Sequence, residues 1–200
     1  LGCMAQNLKQ DILENRPFVD IILGPDSYRK LPDIINRSIN DQQSIVDTKL
    51  SKYEVYEGLF PKRKGGVNAW ISIMRGCDKF CTFCIVPFTR GRERSRSIDS
   101  IVKEAEDAVK NGYRELTLLG QNVNSFRNDS YQFHDLLEII SQISGVDRIR
   151  YTSPHPQDIS DELLDIMQKY DNICNYIHLP LQSGSDRILK RMHRSYSKTD

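Results

Sequence analysis

The sequence predicts an α/β protein in two parts. Residues 1–39 read as the C-terminal part of a small doubly wound α/β domain, residues 40–66 as a linker, and residues 67–200 as a partial (β/α) barrel, truncated at its C-terminus. Three observations carry this. After residue 66, strand-like apolar runs alternate four times with stretches of helical period, the pattern of parallel βα units with right-handed crossovers. Residues 40–66 are polar and end in "PKRKGG". Three of the five cysteines, Cys77, Cys81 and Cys84, fall within eight residues directly after the first barrel strand.

Each element has its own signal. "LGCMAQNLKQDILENRPFVDIILG" gives a turn at Gly2, a helix from Ala5 to Asn15, and a strand "VDIILG" whose nearly continuous apolar run suits a parallel sheet buried on both faces. A Gly-Pro-Asp turn then starts a helix at 28–38. The linker carries one candidate strand, "KYEVYEGL". The strand "VNAWISIM" follows and ends just before the cysteines. "SIDSIVKEAEDAVKNG" places Ile98, Ile101, Val102, Ala105, Ala108 and Val109 on one helical face and stops at Gly112. "RELTLLG", "VDRIRYTS" and "CNYIHLPL" are the next strands; "FHDLLEIISQIS", "SDELLDIMQKY" and "SDRILKRM" are the helices between and after them. In such architectures the working residues sit at the carboxyl edge of the sheet. Here those positions are Cys77–Cys84, Gly120–Asn122, Thr152–His155 and Pro180–Ser183.

Composition narrows the class. A charged fraction of 28% against 38% hydrophobic is ordinary for a water-soluble chain. Apolar runs are too short to span a bilayer and no secretory signal opens the sequence, which predicts a cytoplasmic protein with no membrane partner. The net charge of +1 restricts nucleic-acid contact to local basic clusters. An odd cysteine count with three thiols close together argues against a disulfide framework and for metal or redox chemistry. The chain begins at Leu1 and ends without a helix-stop signal, which reads as a piece of a longer protein.

The thiol spacing CxxxCxxC is one ligand short of a closed tetrahedral zinc site. Cys174 lies ninety residues downstream, near the start of a strand at the opposite end of the sheet, and reads as a small buried residue. A 4Fe-4S cubane held by three thiolates leaves one iron open for a substrate or cofactor while the cluster supplies an electron.

An aromatic residue, Phe83, directly before the last cysteine on the loop after the first strand of a βα barrel resembles the radical S-adenosylmethionine superfamily. "GCMAQ", "RGCDKFCTFCIVPFTRGRERSR", "LTLLGQNVNSF", "TSPHP" and "HLPLQSGSDRILKRM" together resemble its methylthiotransferase family, over essentially the whole chain. The resemblance implies that Cys77, Cys81 and Cys84 bind a 4Fe-4S cluster whose open iron chelates S-adenosylmethionine, with Phe83 near the adenine. It implies a second, auxiliary 4Fe-4S cluster, of whose three ligands Cys3 is the last, the other two lying upstream, and an RNA-binding domain downstream. It also implies a tRNA substrate, methylthiolated at carbon 2 of isopentenyl-adenosine beside the anticodon, a reducing electron donor, and a monomer.

The remaining residues carry paired readings. Arg90, Arg92, Arg94 and Arg96 suit tRNA phosphates or a cofactor carboxylate, against a solvated loop before a helix. Lys62, Arg63 and Lys64 read as linker solvation. Gly120 and Gln121, with Asn122, stand where related enzymes receive the methionine part of the cofactor, although a plain turn uses the same residues. Ser153, His155, Gln182 and Ser183 share the edge and are taken as cofactor-side positions. His178 reads equally as a hydrogen-bonded core histidine. Rival functions are the relatives that modify threonylcarbamoyl-adenosine in tRNA or an aspartate of a ribosomal protein. A noncatalytic metal-containing RNA-binding module is the alternative of another class.

Overall fold

The computed structural model describes residues 1–200. Its first unit contains α1 (Cys3–Leu8), α2 (Gln10–Asn15), β1 (Ile21–Leu23), α3 (Leu31–Asp41) and β2 (Ile45–Asp47), with β1 and β2 parallel from Ile21↔Ile45 to Leu23↔Asp47. Three sequence expectations change here. The helix expected at 5–15 is two helices, because the backbone turns left-handed at Lys9 (φ 47°). The helix expected at 28–38 begins as a tight 3-10 turn, Pro25–Lys30, and continues as α3 to Asp41. The strand expected in "KYEVYEGL" does not form. Tyr56 takes φ 64° there, which no strand accommodates, and its ring stacks on Tyr28 and covers the Arg75 guanidinium at 3.8 Å. The strand within residues 40–66 is instead β2.

The second unit contains β3 (Asn68–Ser72), β4 (Met74–Arg75), α4 (Val86–Arg90), β5 (Arg94–Ser95), α5 (Ile98–Lys110), β6 (Glu115–Leu119), the short hairpin β7 (Arg127–Asn128) and β8 (Tyr131–Gln132), α6 (Phe133–Ser141), β9 (Arg148–Tyr151), α7 (Asp161–Lys169) and α8 (Asp186–Arg191). Its sheet runs β3-β6-β9, all parallel, in register Asn68↔Glu115 and Glu115↔Arg148. One face buries Ala69, Ile71, Leu116, Leu118, Ile149 and Tyr151 against Ile101 and Ala105 of α5, Leu136 and Ile140 of α6, and Leu163 and Met167 of α7. Alternation sends Trp70, Ser72 and Thr117 to the other face. The α5 helix starts where Ser97 Oγ accepts from the Ser100 amide (3.4 Å), and the chain turns away at Gly112 (φ 89°).

The fourth strand, expected at 174–181, is reduced to one bridge, Ile149↔Ile173. The Tyr176 amide donates to the Cys174 carbonyl at 2.8 Å, a closure that diverts the chain from the edge of β9. Cys174 is accordingly half-buried, not buried, and His178 is exposed, so neither belongs to the core.

Candidate functional site

The cysteine loop leaves the carboxyl edge of the sheet after β4 and is pinned at both ends. Gly76 opens it at φ 79°, and a Cβ there meets the Arg92 carbonyl oxygen at 2.0 Å, so only glycine fits. The Gly76 amide donates to Gln121 Oε1 at 2.7 Å, which ties the loop to the end of β6. The Cys77 amide donates to the Gly91 carbonyl (3.2 Å), and the Asp78 carboxylate accepts a bidentate pair from Arg92 (2.6 and 3.0 Å). On the far side, Thr82 donates from its amide and its hydroxyl to the Met192 and Arg191 carbonyls (3.2 Å each), beyond and at the end of α8. Gly76→Ala is expected to destabilise the loop by more than the ~1–2 kcal/mol of a left-handed backbone alone, read by denaturant unfolding.

Burial pushes the Cys77 thiol up to about 11, with Glu93, Cys81 and Cys84 acting in the same direction. Ligation by a cation reverses this by stabilising the thiolate. Cys81 already has a cationic neighbour. Arg194 Nη1 donates to Cys81 Sγ (3.1 Å) and to His155 Nε2 (2.7 Å), while its Nη2 donates to the Pro180 carbonyl (3.0 Å). Its guanidinium lies 5.9 Å from the Phe83 ring centroid. Arg194 thus draws the first, third and fourth edge segments together, and no spacing in the sequence signals it.

Burial, then Arg194 and Lys79, lower His155 to about 4. Its imidazole is neutral, and Nε2 must accept because a guanidinium only donates. The unfolded chain binds the extra proton between about pH 6.5 and 4, so this histidine's contribution is full above that window and is lost as pH falls through it. Thermal melting across the window is expected to show a fall that His155→Gln flattens.

The other edge residues are near the loop in different degrees. Gly120 packs so tightly that a Cβ meets Met74 Cγ at 2.7 Å. Asn122 bonds Asp158 Oδ2 at 2.7 Å and Glu93 Oε1 at 3.2 Å. Phe83 is exposed beside the cysteines, Ser153 is exposed at φ 60°, and Gln182 (φ 68°) and Ser183 lie on the segment that leaves the sheet. No hydrogen bond joins Ser153, Gln182 or Ser183 to the cysteine loop.

The four arginines do not form one anion-binding surface, which corrects the sequence reading. Arg96 is 2% exposed and bonds Glu104 at 2.6 Å and the Ser72 carbonyl at 2.8 Å. Arg94 pairs with Asp26 at 3.1 Å and with the Ser51 and Arg90 carbonyls. Arg92 holds Asp78 and stays exposed. Arg90 Nε donates to Cys3 Sγ at 3.0 Å, so Cys3 stands across from α4, against the segment that follows the cysteines. The physical reason is that Asp26 and Glu104 are buried carboxylates, too costly to leave unpaired. Arg63 also pairs with Glu104 (2.6 Å), so it is not linker solvation.

No three His, Cys, Asp or Glu side chains converge on a position for a single metal ion. A closed zinc site needs such convergence. A cubane takes one thiolate on each of three irons, so its ligands stand apart, and three thiols on one pinned loop beside a guanidinium fit that group by the chemistry of the donor set.

The three-thiol loop stands at the carboxyl edge of a three-stranded parallel βα sheet. Residues 71–200 match the family model described as the radical SAM superfamily. The chain belongs to that superfamily. It is 48% identical over 215 residues to the tRNA-2-methylthio-N(6)-dimethylallyladenosine synthase of Amoebophilus asiaticus, covering 99% of this chain and 44% of the relative. The proteins of the same name from Porphyromonas gingivalis (strain W83) and Clostridium tetani are 47% and 44% identical, over 99% and 100% of this chain and 44% and 45% of theirs. The chain therefore spans less than half the length of these relatives. Among solved structures, a radical S-adenosylmethionine methyltransferase from Kitasatospora setae aligns with TM-score 0.55 at 16% identity, covering 74% of this chain and 31% of that one, a likeness of fold.

Proposed function

We propose that the chain is part of a tRNA methylthiotransferase that installs a methylthio group on carbon 2 of a dimethylallyl-adenosine beside the anticodon. The observation that carries this is the pinned three-thiol loop, set in a chain that is 44–48% identical along nearly its full length to proteins named for that product. In this reading the first unit, which continues past residue 39 through the end of α3 and β2, ends a doubly wound domain, the residues between Asp47 and residue 66 connect it, and 67–200 form the radical core. Cys77, Cys81 and Cys84 hold a 4Fe-4S cluster and Cys3 contributes one ligand to a second. S-adenosylmethionine, a reducing electron donor and tRNA are the partners, and the protein acts as a cytoplasmic monomer. No helix is long and apolar enough to cross a membrane.

When bound, the cluster and S-adenosylmethionine supply the one-electron chemistry needed to open an unactivated carbon–hydrogen bond. The chain's own residues do the positioning. Gln121 and Gly76 fix where the thiols begin, and Arg194 places positive charge against Cys81 and beside Phe83. Phe83, Gly120, Gln121, Ser153, Gln182 and Ser183 form the cofactor side of the edge. Of the basic segment, Arg92 faces solvent while holding Asp78 and is the arginine placed to meet RNA phosphate, and Arg90 faces the group at Cys3.

Nucleoside analysis of tRNA from a strain lacking the gene tests the reaction. The methylthio-dimethylallyl nucleoside disappears and its unthiolated precursor accumulates. Persistence of that nucleoside, or loss instead of a methylthiolated threonylcarbamoyl-adenosine, overturns the assignment. Cys174→Ala is expected to leave iron content and cofactor cleavage unchanged, measured on the anaerobically reconstituted protein.

A further inference from the structure

Of the three loop thiols, Cys81 is the buried one, and its sulfur is the one that a charged side chain meets. Arg194 Nη1 lies 3.1 Å from Cys81 Sγ, and no side chain donates to the sulfur of Cys77 or Cys84.

The chain fixes this approach from several sides. Arg194 stands just past α8, and its amide donates to the Leu189 carbonyl at 2.9 Å, which closes that helix. The residues before it grip the cysteine loop: the Arg191 and Met192 carbonyls accept from Thr82, and His193 Nδ1 donates to the Phe80 carbonyl at 3.1 Å. The guanidinium is then held by neutral groups alone. Its Nε donates to the Tyr196 hydroxyl at 3.0 Å, Nη1 to His155 Nε2 at 2.7 Å, and Nη2 to the Pro180 carbonyl at 3.0 Å. Arg92, Arg94 and Arg96 each have a carboxylate partner, whereas no carboxylate pairs with Arg194. A half-buried cation without an acid beside it is matched to an anion that forms there. The one group in reach that becomes an anion on ligation is the Cys81 thiol.

Resting on the function proposed above, we infer that Arg194 sets the reduction potential of the cluster held by Cys77, Cys81 and Cys84, raising it through its N–H···S bond to Cys81. Hydrogen bonds to ligand sulfur are among the levers that set iron–sulfur potentials, and a bond from a fixed cation is the strong form. In the reduction one electron passes from an external low-potential donor, which is oxidised, to the cluster, which gains one unit of negative charge. No bond is made or broken in that step. The guanidinium stabilises the added charge, and burial of Cys81 keeps water from screening the interaction. Arg194 touches a ligand and not the reacting atoms, so it acts through Cys81.

The test is a redox titration of the complete, anaerobically reconstituted enzyme without S-adenosylmethionine, followed by electron paramagnetic resonance. A Cys3→Ala background leaves only the loop cluster to report. Arg194→Gln and Arg194→Met are expected to lower the midpoint potential, cutting the reduced-to-oxidised ratio at a fixed poise about tenfold, a shift of about 59 mV for one electron. Arg194→Lys is expected to recover part of the shift, since it restores the charge without the planar fork. A neutral variant with full iron content and the wild-type potential overturns the inference. So does one whose only change is weaker binding of S-adenosylmethionine, which would give the guanidinium to the cofactor's carboxylate. Loss of iron from both neutral variants also overturns it, because the arginine would then hold the loop together and not tune the cluster. In all three cases wild-type enzyme still cleaves S-adenosylmethionine and the proposed function stands. If wild-type protein takes up no cluster, the proposed function falls and this inference with it.

Discussion

Cys77→Ala, Cys81→Ala and Cys84→Ala should each abolish reductive cleavage of S-adenosylmethionine by the reconstituted protein. The loss should exceed the roughly 10- to 100-fold that outer-shell partners of a metal site are worth, because each change removes a ligand from a set with no substitute. The only other thiols are Cys3, held against Arg90, and Cys174, at the opposite edge of the sheet. A variant that keeps normal cleavage would mean that its thiol is not a ligand. Serine at the same positions should behave like alanine, since a hydroxyl is not deprotonated as a thiol ligand is.

Asp26→Ala is expected to cost about 3–5 kcal/mol of stability, the usual penalty for removing one partner of a buried ion pair. Asp26 and Arg75 are paired at 2.7 Å with both side chains 1% exposed, and Arg94 approaches the second carboxylate oxygen at 3.1 Å. That oxygen also accepts from the Ser51 amide at 2.7 Å. Removing the carboxylate leaves two guanidiniums facing each other out of water, and the Tyr56 ring compensates only Arg75. Urea titration should report the loss, and Tm should fall by roughly 10 °C for a chain of this size. The effect reaches the site because Asp26 belongs to the first unit while Arg75 and Arg94 are the β4–β5 pair that frames the cysteine loop. A variant as stable as wild type would show that the two units are held together elsewhere.

The order of strands and helices in the second unit was legible because its signals are local. Helical period placed Ile101, Ala105 and Ala108 on the buried face of α5, and β3, β6 and β9 formed where apolar runs predicted strands. The fourth strand was not legible, since "CNYIHLPL" has the composition of a strand and is diverted by one backbone closure at Tyr176. Tyr56 shows the same limit from the other side. Its residue type favours a strand, and tertiary contact with Tyr28 and Arg75 overrode that preference.

At the site, the three thiols were visible from spacing alone. The arginines behind them were visible as charge but not as partners. Which carboxylates claim Arg94 and Arg96 depends on Asp26, 68 residues away, and on Glu104 on the next helix, and both lie outside the motif. Arg194 was invisible for the same reason, since it reaches Cys81 across 113 residues of sequence.

The most direct measurement is the electron paramagnetic resonance spectrum of the reduced, anaerobically reconstituted protein before and after S-adenosylmethionine is added. A three-thiolate cluster with an open iron predicts a brown protein whose reduced-cluster signal shifts on adding S-adenosylmethionine, and loses that shift in Cys81→Ala. A colourless protein carrying one zinc ion, or a cluster signal that S-adenosylmethionine leaves unchanged, contradicts it.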